Sequence, residues 1–124
     1  MKKYKLNVLG NDLQICSLKP LTGYFRDGCC TGCDQDYGEH FICAVMSEEF
    51  LNFSFERGND LITPKSDFNF PGLKVGDRWC VCVDRWKETR KFIHPPKIIL
   101  ESTNQEVLKK INIDILKKFA LDIN

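Results

Sequence analysis

The residues best equipped for chemistry in this chain are its sulfurs. Seven cysteines fall within 124 residues, five of them in the strings Asp27-Gly28-Cys29-Cys30-Thr31-Gly32-Cys33 and Asp77-Arg78-Trp79-Cys80-Val81-Cys82. So many thiols point to a metal site, a redox site or a sulfur-lined core. If Arg78 to Val83 form a strand, Cys80 and Cys82 project side by side from one face, with Trp79, Val81 and Val83 on the other. Two such thiolates can share a metal, or one can attack a disulfide held by the other. The plainer alternative is that cysteine behaves here as a small buried hydrophobe.

Cys30-Thr31-Gly32-Cys33 has the two-residue gap of a zinc knuckle or a redox pair. Zinc takes four ligands at tetrahedral geometry. The candidate donors are Cys29, Cys30, His40, Cys43, Cys80 and Cys82, provided that the fold brings their segments together. Redox use is disfavoured, because the acidic Asp34 to Gly38 segment that follows is a poor helix and opposes a thiolate. Cys29 and Cys30 are unsuited to bridge each other, since neighbouring Cα atoms lie about 3.8 Å apart and ordinary bridges need at least about 4.4 Å. A cysteine–histidine nucleophile pair is a further chemistry. Only His40 and His94 are available for it, and nothing local marks which cysteine would be activated. His94, ahead of Pro95-Pro96, reads as a loop residue.

Arginine carries a rigid fork for carboxylate or phosphate. Arg26, Arg78 and Arg85 lie in segments rich in Trp, Phe and Gly, so beside Trp79 and Trp86 they could hold a small anion. Asp27 and Asp77 belong to the same strings, but read more simply as turn residues whose carboxylates accept backbone N–H groups.

Short elements must position these groups. Phe41 to Met46 reads as a buried strand. Ser47 then caps a helix with Glu48 and Glu49 in its first turn. Phe50, Leu51, Phe53 and Phe55 spread widely around that helix and predict extensive cover, and Gly58 is its stop. Arg78 to Val83 reads as a strand passing into a helix near Asp84 to Lys91, and Lys97 to Glu101 as another strand. Thr103 and Glu106 fit a capping box. Two closing helices follow, with apolar faces at Val107, Leu108 and Ile111, then at Ile115, Leu116 and Phe119. Interspersed rather than alternating elements predict an α+β domain, a small sheet with helices packed on one face in two layers.

Length and composition set the outer bounds. A chain of this size forms one domain, 1–124, and buries roughly two-thirds of its unfolded surface. With 43% hydrophobic residues, nine Phe and two Trp, it needs neither disulfide nor metal merely to fold. The net charge of +1 and the absence of a basic stripe speak against nucleic acid as a partner. No apolar run reaches the ~7–15 residues of a secretory signal or the ~20 of a membrane span. A cytoplasmic protein with reduced thiols is therefore expected. The odd cysteine count also forbids complete internal pairing.

The strings Pro20-Leu21-Thr22-Gly23-Tyr24-Phe25-Arg26-Asp27-Gly28-Cys29-Cys30, HFICAVMSEEFLNFS, RGNDLITP, FPGLKVGDRWCVC and DRWKE resemble the bacterial domain-of-unknown-function family 2237. The resemblance runs through essentially the whole chain. It implies a small α+β domain and carries no activity. Cys16, Cys29, Cys30, Cys43, Cys80 and Cys82 fit its pattern. Cys33 departs from it, as does Ser102-Thr103-Asn104, where the family tends to read Ala-Thr-His.

These readings converge on a small-molecule or metal-binding site where Cys29, Cys30, Cys43, Cys80 and Cys82 gather, with zinc as the candidate ion. Two alternatives stand beside it: a thiol-dependent enzyme with one nucleophilic cysteine, and an interaction domain with an inert sulfur-rich core.

Overall fold

The computed structural model describes residues 5–122. At its centre lies a two-stranded antiparallel ribbon, β1 (Ile42–Val45) and β2 (Arg78–Val81). The register sets Ile42 opposite Val81, Cys43 opposite Cys80 and Ala44 opposite Trp79. Side chains alternate across a ribbon, so this register sorts them by chemistry. Ile42, Ala44, Trp79 and Val81 face the apolar core, together with Phe50, Leu51, Val83, Trp86 and Leu116. Cys43 and Cys80 face the other way, into a second cluster with Cys16, Cys30 and Ile99.

The three α-helices all pack on the apolar face: α1 (Glu48–Glu56), α2 (Val83–Phe92) and α3 (Ile113–Lys118). The buried cluster on the sulfur face draws instead on loop residues. The expected α+β architecture, with helices on one face of a small sheet, is therefore present. Among the described residues no helix is long and apolar enough to cross a membrane.

Helix starts follow local cap chemistry. The Ser47 hydroxyl accepts the Phe50 N–H at 3.1 Å and opens α1. The Asn112 side chain accepts the Asp114 N–H at 2.8 Å and opens α3. Gly58, at φ +84°, supplies the left-handed turn that ends α1. Cover of α1 is narrower than its four aromatic and aliphatic residues suggest. Phe50 and Leu51 are buried, Phe53 is half-buried and Phe55 is exposed, while Ser54 takes an interior position.

Three expectations need correction. Strand β2 stops at Val81, and Cys82 becomes the residue that precedes α2. Lys97 to Glu101 is no strand. Ile98 alone bridges Ala44 and Ala120, and the Leu100 and Glu101 N–H groups go to the Asp122 carboxylate at 2.7 and 2.9 Å. That capture leaves them nothing to offer a ladder. The capping box also fails. Thr103 is buried, its hydroxyl donating to the Ile99 carbonyl and accepting the Cys43 N–H. Asn104 caps instead, accepting the Glu106 N–H at 2.9 Å, and the turn that follows is a 3₁₀ helix, Gln105–Lys109.

Candidate functional site

The cysteines divide into two groups. Cys16 bonds to Cys43, and Cys30 to Cys80, with Cα separations of 5.7 and 5.3 Å. All four are buried. The sulfurs of Cys16, Cys30 and Cys80 lie within 4.8 Å of one another, so the two bridges pack together. The expected gathering of distant thiols is therefore real for Cys30, Cys43 and Cys80, and it includes Cys16. The expectation of reduced thiols is corrected at these four positions. Cys29, Cys33 and Cys82 are free and partly exposed.

Cys82 stands apart from the other free thiols through its surroundings. His40 lies beside it, and hydrogen bonding with Cys82 is the largest cause raising the His40 pKa to about 9. Burial opposes the rise, while the Cys82 charge and Asp36 add to it. On the far side of the ring, Nδ1 lies 2.7 Å from the Asp36 carboxylate. A buried carboxylate accepting at Nδ1 orients the ring and leaves the other nitrogen for the sulfur. The Asp36 side chain is wholly buried and also accepts the His40 backbone N–H at 3.0 Å. Asp36, His40 and Cys82 thus form a chain of contacts from interior carboxylate to partly exposed sulfur.

Local backbone geometry puts them there. Glu39 adopts φ +52°, a left-handed conformation uncommon outside glycine. Its carbonyl accepts the Val83 N–H at 3.1 Å, the first amide of α2. That bond fastens the 36–41 loop against the helix start, one residue from Cys82. Lys110 clamps the same junction, reaching Glu39 at 2.6 Å and Asp84 at 3.5 Å. Gly38 closes over the pair. A Cβ there would lie 2.8 Å from His40 Cε1 and 3.2 Å from the Cys82 sulfur.

The first turn of α2 adds two features. Cys82 occupies the N-cap position, and its side chain makes no capping bond. Among the described residues, the Asp84 and Arg85 N–H groups carry no hydrogen bond. Such first-turn donors suit an oxyanion.

The other free thiols lack these features. Burial, followed by the Asp27 charge, pushes the Cys29 thiol up, which disfavours its thiolate. Asp27 itself accepts the Cys29 N–H at 3.0 Å and the Thr31 hydroxyl at 3.1 Å, and Asp77 accepts the Lys74 N–H at 2.9 Å. Both act as the turn residues expected. Trp86 is fully buried and donates to the Pro96 carbonyl at 3.1 Å. Arg78 is exposed, and His94 sits in a loop with its N–H on Glu49.

Arg26 and Trp79 do meet, the guanidinium 5.0 Å from the ring centroid. They border a cleft of about 340 Å³ that also takes in Tyr24, His40, Lys65 and Phe70. Cys82 lines a separate hollow with Tyr37, Gly38 and Arg85. Sequence reasoning named His40, Cys82, Arg26 and Trp79, but missed Asp36 and set Cys16 aside from the site. The signal for Asp36 was its place four residues before His40, in a glycine-containing loop that can fold back on a carboxylate.

Residues 6–120 match the family described as "Uncharacterized protein conserved in bacteria (DUF2237)". No curated protein matches the chain.

Proposed function

The chain belongs to DUF2237, a family whose description assigns no activity, and from its own site we propose that it is a thiol-dependent enzyme with Cys82 as nucleophile. The observation that carries this reading is the Asp36–His40–Cys82 array. A nucleophile, a base within reach and a third group orienting that base are the recurring parts of covalent catalysis.

The chemistry follows from these parts. The reacting form is a Cys82 thiolate beside the His40 imidazolium, with the thiol proton carried by the ring. The sulfur bonds to an electron-poor carbonyl carbon, while the first-turn amides of α2 receive the charge that develops on oxygen. As the leaving group departs, His40 protonates it. Water, deprotonated by the same ring, then cleaves the thioester and restores the thiol. Asp36 acts through His40 and is a positioning residue.

The cleft beside His40 suggests the substrate class. Aromatic walls favour an apolar body, and Arg26 and Lys65 in its lining, against the one carboxylate of Asp60, favour an acyl compound carrying a carboxylate or phosphate. Direct ligand capture by the gathered thiols has less support, because Cys30, Cys43 and Cys80 are buried in disulfides, Cys43 with Cys16 and Cys30 with Cys80.

The test is site-resolved alkylation with iodoacetamide near neutral pH. Cys82 should label faster than Cys29, Cys33 and free cysteine. His40→Ala should slow it on the order of 10-fold, since an unpaired thiol is mostly protonated at that pH. Aryl esters bearing a carboxylate should acylate the native chain and not Cys82→Ser. Equal labelling of the three free thiols, unaltered by His40→Ala, would sink the reading.

A further inference from the structure

The buried sulfurs play no part in that chemistry, and their arrangement exceeds what two loop staples require. Bridges that only tether segments have no need to meet. Here the sulfurs of Cys16, Cys30 and Cys80 lie within 4.8 Å of one another, and Cys43 is bonded to the first of them. The remaining apolar members of the cluster are Ile99 and Val45, and among the described residues no carboxylate or imidazole joins the three-sulfur group.

The four positions are also held by bonds that do not involve sulfur. The Cys16 N–H donates to the Gly28 carbonyl at 2.7 Å. The Cys43 N–H donates to Thr103 Oγ1 at 3.2 Å, and the Cys80 N–H to Thr22 Oγ1 at 2.9 Å. The Cys30 carbonyl accepts from Asn104 Nδ2 at 3.1 Å. Cys43 and Cys80 are moreover opposed in the β1–β2 register. Opening the disulfides therefore leaves four thiols gathered in one buried place.

We infer that Cys16, Cys30, Cys43 and Cys80 form a four-thiolate site for zinc in the reduced chain, exchanging with the two disulfides of the oxidised chain. Zinc sits about 2.3 Å from each sulfur, so tetrahedral ligands stand roughly 3.8 Å apart. The 4.8 Å limit among Cys16, Cys30 and Cys80 is compatible with that spacing, and the Cys43 sulfur, bonded to Cys16 in the oxidised chain, must turn toward the other two once its bridge opens. An all-sulfur donor set selects zinc over magnesium or calcium, which prefer oxygen. The exchange balances. Two equivalents of a dithiol reductant deliver four electrons and four protons, converting both disulfides to four thiols and leaving each reductant as its own disulfide. Zinc then displaces the four thiol protons to solvent.

This site differs from the sequence-derived donor set by including Cys16 and excluding Cys29, His40 and Cys82. It is independent of the enzyme reading, so either can fail alone. The test compares zinc retained after desalting by the full chain, with and without prior treatment with a phosphine reductant. The reduced chain should hold one zinc per chain, and the oxidised chain none. Cys16→Ser and Cys80→Ser should weaken binding on the order of 100-fold or more, whereas Cys82→Ser and His40→Ala leave it unchanged. Because a variant at a buried cysteine can fail to fold, cobalt added to the reduced native chain gives a second readout. Its thiolate-to-metal charge-transfer bands should report four sulfurs in tetrahedral geometry. A reduced chain without zinc, a cobalt spectrum with fewer sulfurs, or loss of metal on Cys82→Ser would overturn the inference.

Discussion

His40 is the residue on which pH dependence turns. Its pKa in the fold is about 9, raised first by the Cys82 contact, against about 6.5 for a free imidazole. A folded-state pKa above the unfolded one contributes stability that is fully present below about pH 6.5 and is lost as pH rises through about 9. Thermal midpoints should therefore fall across that window. The fall should be smaller in Cys82→Ser, because the largest cause of the shift is then gone, and a fall of equal size would refute the assignment. Gly38→Ala tests the geometry without touching either reactive group. Its backbone is not left-handed, so the expected damage comes only from the new methyl lying 2.8 Å from the His40 ring. Cys82 alkylation should slow several-fold while the melting temperature stays close to native. Unchanged labelling would show that the ring and sulfur tolerate displacement.

At the scale of elements, helix ends decide which groups reach the site. Ser47→Ala removes the hydroxyl that accepts the Phe50 N–H and should cost about 1 kcal/mol in urea denaturation. The start of α1 was legible in the sequence because a cap and its first turn occupy adjacent positions. So was the two-faced ribbon, since alternation of Trp79 and Val81 against Cys80 is a local pattern. The start of α2 was not. Whether Cys82 continues a strand or precedes a helix depends on Glu39, whose carbonyl takes the Val83 N–H from more than forty positions upstream. The Cys16–Cys43 pairing was hidden for the same reason. It spans 27 residues and relies on a loop path fixed by Thr22 and Thr103. Thr103 also shows why the capping box misled, since a hydroxyl suited to a helix start is committed to the backbone of Cys43 and Ile99.

For the whole molecule, the bridges close loops of 27 and 50 residues. Chain-entropy reasoning puts their contributions at about 3.5 and about 4 kcal/mol. The paired change Cys16→Ala with Cys43→Ala should lower the stability of the unreduced chain by roughly 3 kcal/mol in urea, and a loss below about 1 kcal/mol would mean that the unfolded chain gains little freedom. The ribbon separates two territories that rest on unlike forces, grease and helices beneath, covalent sulfur above. Stripping the sulfur bonds in the absence of metal should therefore not loosen the molecule evenly. Amide hydrogens near Cys16, Gly28 and Cys30 should begin to exchange while those of α1 and α2 remain shielded. The protein would then carry a redox-softened roof over a floor indifferent to oxidation state.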